Sequence, residues 1–70
     1  MNTYGIRCKC GHVFKAAARN RAGAVEHLKR IMDRSGVVVH YRKFHRGEIM
    51  PSVDEVHAHM DVDVEEMTFV

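Results

Sequence analysis

The sequence predicts a small α+β protein in which an antiparallel β-sheet of about four strands packs one face against one main α-helix. In residues 1–20 the apolar side chains alternate with polar ones, which is the period of a strand. From residue 21 they recur every three or four positions, which is the period of a helix. A β-branched and aromatic run follows. The predicted order is β-β-α-β, then a short helix or turn, then β.

The first two strands are predicted to form a hairpin. Residues 3–10 alternate between two faces, Gly11 interrupts the pattern, and the alternation resumes at His12. One face of the first strand holds Tyr4, Ile6, Cys8 and Cys10. The hairpin should therefore turn near Cys10 and Gly11.

The main helix is predicted over residues 21–35. Asn20 is a residue that commonly caps a helix N-terminus, and Gly36 is placed where a left-handed residue would end the helix. The apolar stripe consists of Ala24, Leu28, Ile31 and Ser35, flanked by Val25 and Met32. This stripe is expected to cover one face of the sheet.

Residues 37–44 are the most β-prone stretch of the chain and are predicted to form a central strand. Arg46 and Gly47 are expected to turn the chain into a further strand at 48–50, which Pro51 ends because it lacks a donor for the ladder.

The last twenty residues fit two patterns. Residues 56–64 alternate as a strand would, whereas Ser52 and Glu55 form the capping box of a helix that begins after Pro51. Aspartate, glutamate and alanine are poor strand formers. The sequence therefore favours a short helix or turn at 53–60 followed by a strand.

The length of 70 residues indicates one small domain. A core this small seldom supplies more than about 3–5 kcal/mol, so stabilisation by a metal, a disulfide or a partner is expected. The chain is too short to enclose a substrate pocket of several hundred cubic ångströms and holds no nucleophile or phosphate-loop motif, which argues against an enzyme. It shows neither a signal peptide nor a transmembrane segment, so a cytoplasmic protein without membrane contact is expected.

Charge is segregated along the chain. The basic part, residues 1–46, holds all eleven Lys and Arg residues and two acidic ones, a net charge of +9. The acidic part, residues 47–70, holds seven acidic residues and no basic one, a net charge of −7. A basic face is predicted from Arg19, Arg21, Lys29, Arg30 and Arg34. An acidic face is predicted from Asp54, Glu55, Asp61, Asp63, Glu65 and Glu66.

This asymmetry predicts a non-enzymatic regulator that docks through a charged face on a larger protein or protein–nucleic acid complex. Small phage or plasmid inhibitors of host nucleic-acid-processing complexes have this size and build. Three other interpretations remain open: direct binding of nucleic acid, a homodimer that pairs basic with acidic parts, and an acidic part that folds back on its own chain.

A second motif concerns metal binding. Residues 8–14, which begin Cys8-Lys9-Cys10-Gly11, resemble the knuckle of zinc-ribbon proteins, in which two thiolates bind the metal. The cysteines here are separated by one residue instead of two, and no second cysteine pair follows. The residue pattern predicts no cofactor. The alternative is a zinc-stapled nucleic-acid-binding module with Cys8, Cys10 and His12 as ligands.

Overall fold

The computed structural model describes residues 1–67 and has the predicted α+β class, with a three-stranded antiparallel sheet and three helices. The predicted four strands and single main helix are corrected to these numbers. The elements in chain order are β1 (Asn2–Arg7), β2 (Val13–Ala18), α1 (Arg21–Ile31), α2 (Arg34–Phe44), α3 (Val53–Asp63) and β3 (Glu65–Glu66). None of these helices is long and apolar enough to cross a membrane.

The predicted hairpin is confirmed. β1 pairs antiparallel with β2, with Ile6 opposite Phe14. In the turn between them the amide of Cys8 donates to the carbonyl of His12 at 2.8 Å, and the amide of Gly11 donates to the carbonyl of Cys8 at 2.9 Å. Gly11 has a φ of 89°, which side chains rarely tolerate, so the glycine permits this tight turn.

The cap predicted for α1 is also confirmed, because the Asn20 side chain accepts a hydrogen bond from the amide of Gly23 at 2.8 Å. Helix α1 ends at Ile31, four residues earlier than predicted. Its buried residues Ala24, Val25 and Leu28 face the hairpin and α3 and form the centre of the core.

The strand predicted at 37–44 is wrong, because these residues lie in α2. Asp33 begins this helix by accepting a hydrogen bond from the amide of Gly36 at 2.9 Å, so Gly36 lies in the first turn of a new helix. The strand preference of valine spans only about 1 kcal/mol and yields to burial and capping. The strand predicted at 48–50 is absent from the described structure.

The helical alternative for the last twenty residues is confirmed. Ser52 caps α3 by accepting a hydrogen bond from the amide of Glu55, and the helix extends to Asp63, beyond the predicted 53–60. The strand predicted after it is the short β3, which pairs with β1. The acidic part as predicted also includes residues 68–70, which lie outside the described residues.

The corner between α1 and α2 depends on Gly36. A Cβ on this glycine would collide with the carbonyl oxygen of Ile31 at the end of α1. We therefore expect Gly36→Ala to lower the free energy of unfolding by about 1–3 kcal/mol, although alanine has the higher helix propensity. Urea denaturation measures this change.

Ser35→Ala is the matched control, because Ser35 is exposed in the same helical turn and should change stability by less than about 0.5 kcal/mol. A Gly36→Ala protein at least as stable as the parent would show that the corner is not this tight.

Candidate metal centre

The hairpin turn and the end of α2 bring four metal-binding side chains together. Cys8 and Cys10 come from the turn, His40 from the last part of α2, and His45 from its C-cap. One ligand atom of each side chain, the sulfur or a ring nitrogen, lies within 4.8 Å of all the others.

The distances inside this cluster fit a tetrahedral zinc site. Nε2 of His45 lies 3.2 Å from Sγ of Cys8 and 3.2 Å from Nε2 of His40. Sγ of Cys10 lies 3.8 Å from Nε2 of His40. Zinc bonds of about 2.3 Å to sulfur and about 2.0–2.1 Å to nitrogen place tetrahedral ligands roughly 3.3–3.8 Å apart. The four side chains are therefore already arranged at nearly the spacing that zinc needs.

Local structure explains how the ligands converge. The tight turn at Gly11 folds the segment after β1 back on itself and presents both cysteines at one end of the hairpin. In α2, the amide of His45 donates to the carbonyl of Tyr41 at 2.9 Å, so the last turn holds His45 beside His40. Their spacing, H-x4-H, lies within the range found for histidine pairs in structural zinc sites.

Burial favours the neutral form of a histidine, which is the form that binds a metal. His40 and His45 are 6% and 3% exposed. Burial, with smaller contributions from His45 and His12, lowers the pKa of His40, so its imidazole is neutral at physiological pH and keeps a lone pair for a metal. Burial also raises the pKa of the Cys8 thiol, and a metal ion is therefore needed to bring it to the thiolate form.

Glu48 orients His45. Its Oε2 lies 2.7 Å from Nδ1 of His45, and its Oε1 lies 2.6 Å from Nζ of Lys9. The hydrogen bonds from Lys9 and then from His45 lower the pKa of Glu48, so the carboxylate is ionised and accepts a hydrogen bond from Nδ1–H of His45. This leaves the lone pair of His45 on Nε2, directed at the other ligands, as in carboxylate–histidine–zinc arrangements.

Aromatic rings surround the cluster. The ring of His40 packs edge-on against Phe14 with centroids 4.9 Å apart, and Tyr41 stacks on His45 at 4.5 Å. His12, the third ligand predicted from sequence, packs its ring 4.6 Å from Phe14 and 5.0 Å from Phe44. His12 lies outside the four-residue group.

The expectation that this protein has no cofactor is overturned by the cluster, since two thiols and two imidazoles within 4.8 Å form a site that could hold a metal ion. Sequence reasoning missed His40 and His45 because a strand at 37–44 would place them on opposite faces. The H-x4-H spacing was the signal that could have identified them, if the segment had been read as a helix.

Much of the predicted basic face is engaged within the chain. Arg21 donates to the carbonyls of Val64 and Asp61 at the end of α3, at 2.7 and 2.6 Å. Lys29 pairs with Asp61 at 2.7 Å, and Arg30 pairs with Glu26 in its own helix. The remaining members of this face, Arg19 and Arg34, are exposed.

The predicted acidic face is likewise divided. Asp61 pairs with Lys29, and Asp63 lies 2.8 Å from Nδ1 of His59. Across residues 1–67, no ion pair engages the other four members, which are Asp54, Glu55, Glu65 and Glu66. The acidic part is therefore held against α1 through Asp61, while Asp54, Glu55, Glu65 and Glu66 are exposed.

A cleft of about 410 Å³ opens beside the cluster, with Cys8 and His40 on one wall and α3 residues such as Met60 on another. This open cleft has a volume that the chain length was not expected to allow.

Comparison with protein-family models, curated proteins and solved structures gives no significant match for this chain. The ligand set and its surroundings are therefore the basis for a functional assignment.

Glu48 provides a test of the site. We expect Glu48→Gln to weaken metal binding by about 10–100-fold, because a neutral amide no longer holds the Nδ1 proton of His45 as strongly. Competition between the protein and a chromophoric chelator for Zn²⁺ measures this affinity.

Glu65→Gln serves as the control, because Glu65 is an exposed carboxylate in β3 and should leave the affinity unchanged. Equal affinities for the two variants would mean that Glu48 plays no part in orienting the ligand.

Proposed function

We propose that this protein is a small, non-enzymatic binding module whose fold is stapled by one structural Zn²⁺ ion. The observation that carries the proposal is the convergence of two cysteines and two histidines at tetrahedral spacing. Zn²⁺ would link the hairpin turn to the end of α2 through bonds to Cys8, Cys10, His40 and His45.

The donor set favours zinc over other common ions. Two thiolates with two imidazoles are a typical structural zinc set, whereas magnesium and calcium prefer oxygen ligands. Four protein ligands also complete a tetrahedron and leave no position for a substrate or an activated water. This supports a structural role for the ion and a non-enzymatic protein.

The packing of α2 explains why a metal cross-link to the hairpin would be needed. Of its eleven residues, only Val37 and His40 are buried, and His40 is itself one of the candidate ligands. Helix α1, by contrast, buries three apolar side chains against the sheet and α3. The bonds to zinc would therefore supply much of the interaction that holds α2 to the rest of the protein.

The docking of such a module on a larger macromolecule through a charged face stays a prediction, as does a role as an inhibitor. This prediction is supported by the exposed arginines outside α1 and by the four carboxylates of the acidic face that form no ion pair within residues 1–67.

Zinc content is the direct test. Protein purified without added metal should contain one Zn²⁺ per chain by elemental analysis, and Co²⁺ in its place should give the visible absorption of a tetrahedral site. At Zn²⁺ about 100-fold above its Kd, binding stabilises the fold by about 2.7 kcal/mol. This corresponds to a rise in Tm of roughly 10–20 °C over the chelator-treated protein.

Cys10→Ser is the informative variant, because Cys10 is exposed and its replacement leaves core packing intact. It should weaken zinc binding by more than about 100-fold, since it removes a direct ligand. His27→Gln, an exposed histidine of α1, should bind zinc like the parent. A parent protein without zinc whose Tm is unchanged by chelator would refute the proposal.

A further inference from the structure

We infer that the exposed face of α2 is a nucleic-acid-binding surface that contacts the phosphate backbone. The inference rests on the proposed function, because the zinc staple is what would fix α2 in position on the protein. It names the partner of the module and places the contact on the outer side of α2 rather than on the basic face predicted from sequence.

Helix α2 has two distinct faces. Val37, His40 and Tyr41, at helical spacing, point toward the hairpin and the metal centre. Val39, Arg42 and Lys43, also at helical spacing, point to solvent, and Val39 is 63% exposed. Arg46 continues the exposed side just beyond the helix. The outer face therefore lies on the opposite side of α2 from the candidate metal centre.

This outer face carries only positive charge. Helix α2 contains Arg42 and Lys43 on this face, Arg34 on the face of Val37 and Tyr41, and no acidic residue. In residues 1–67, no carboxylate lies within ion-pair distance of these three or of Arg46. The cations of α1, by contrast, are held by α3 or by their own helix. The charge of α2 is thus available to an outside anion.

The effect of charge on helix stability explains the positions of Arg42 and Lys43 but not that of Arg34. Arg42 and Lys43 lie in the last turn, where a positive charge interacts favourably with the helix dipole. Arg34 lies in the first turn, where the same interaction is unfavourable.

Phosphate is the anion that this face fits best. Arg42, Lys43 and Arg46 lie within five consecutive positions at the end of α2 and just beyond it. Such a group can meet several phosphates of one duplex, whose charges follow one another every ~1.7 Å along its axis. Two of the three are arginines, whose planar guanidinium groups bind phosphate through paired hydrogen bonds.

The competing partner is an acidic protein surface, including the acidic face of a second copy of this chain. Within residues 1–67, a second copy offers four exposed carboxylates free of ion pairs, Asp54, Glu55, Glu65 and Glu66, on α3 and β3. A duplex presents a continuous row of charge, so the match with α2 is closer for nucleic acid.

Fluorescence anisotropy with a labelled, mixed-sequence DNA duplex tests the inference on zinc-loaded protein. Three phosphate contacts predict a loss of affinity of roughly 40-fold between about 50 and 200 mM salt. The double variant Arg42→Gln/Arg46→Gln should bind at least about 10-fold more weakly, with a salt slope smaller by about 2.

Arg19→Gln/Arg30→Gln is the matched control, because it removes the same charge from exposed positions outside α2. It should keep most of the affinity. Equal losses in the two double variants would indicate diffuse attraction to net charge and overturn the inference. So would the absence of DNA binding, or a loss of self-association in Arg42→Gln/Arg46→Gln with no effect on DNA.

Zinc content, measured on the same samples, separates the two proposals. One zinc per chain without DNA binding would refute the role of α2 and leave the staple intact. Zinc-free protein would refute the staple, and DNA binding that persists in full without zinc would show that α2 needs no metal to present its face.

Discussion

The attachment of α2 to the hairpin turn is the interaction on which the rest of the structure depends. A helix of eleven residues that buries only Val37 and His40 gains little from the hydrophobic effect, which yields about 1.5–3 kcal/mol for a fully buried aliphatic side chain. Its remaining contacts to the hairpin are made by His40, by the Phe44 ring and by His45 at its C-cap. Polar and aromatic contacts therefore attach α2 to the hairpin, whereas apolar burial holds α1 and α3 against the sheet.

The small size of the core explains why polar and aromatic contacts, and not apolar burial, attach α2. Leu28, Met60 and Val37 are the largest fully buried side chains, and three of the other eight core residues are alanines. The core holds the sheet, α1 and α3 together, Val37 joins α2 to it, and Arg21 caps the carbonyls at the end of α3. A core of this kind is close to the limit of what a small domain can use without a metal or disulfide. The cluster lies where the core ends, which is where a cross-link adds most.

The sequence predicted the fold correctly where local rules, such as strand alternation and helix capping, determine the backbone conformation. Strand alternation gave the hairpin, and the capping residues Asn20 and Ser52 gave the starts of α1 and α3. It failed at α2, because three consecutive valines favour a strand by a margin smaller than the capping and burial terms that tertiary structure adds. That one error also concealed the site, since His40 and His45 converge only when the segment is helical. Cys8 and Cys10 were recognisable from the knuckle pattern, but their partners are more than 25 residues away in sequence.

Folding pairs some of the charges that are segregated along the sequence. Along the sequence, basic residues precede acidic ones. In the structure, α3 lies beside α1, and Asp61 with the carbonyls around it engages Lys29 and Arg21. Lys9 and Glu48 meet at the metal centre. These contacts engage Lys9, Arg21 and Lys29, whereas the cations of α2 and Arg46 take part in no ion pair within residues 1–67. Because the same helix supplies both histidines, a metal ion bound there would determine both where α2 lies and which way its cations face.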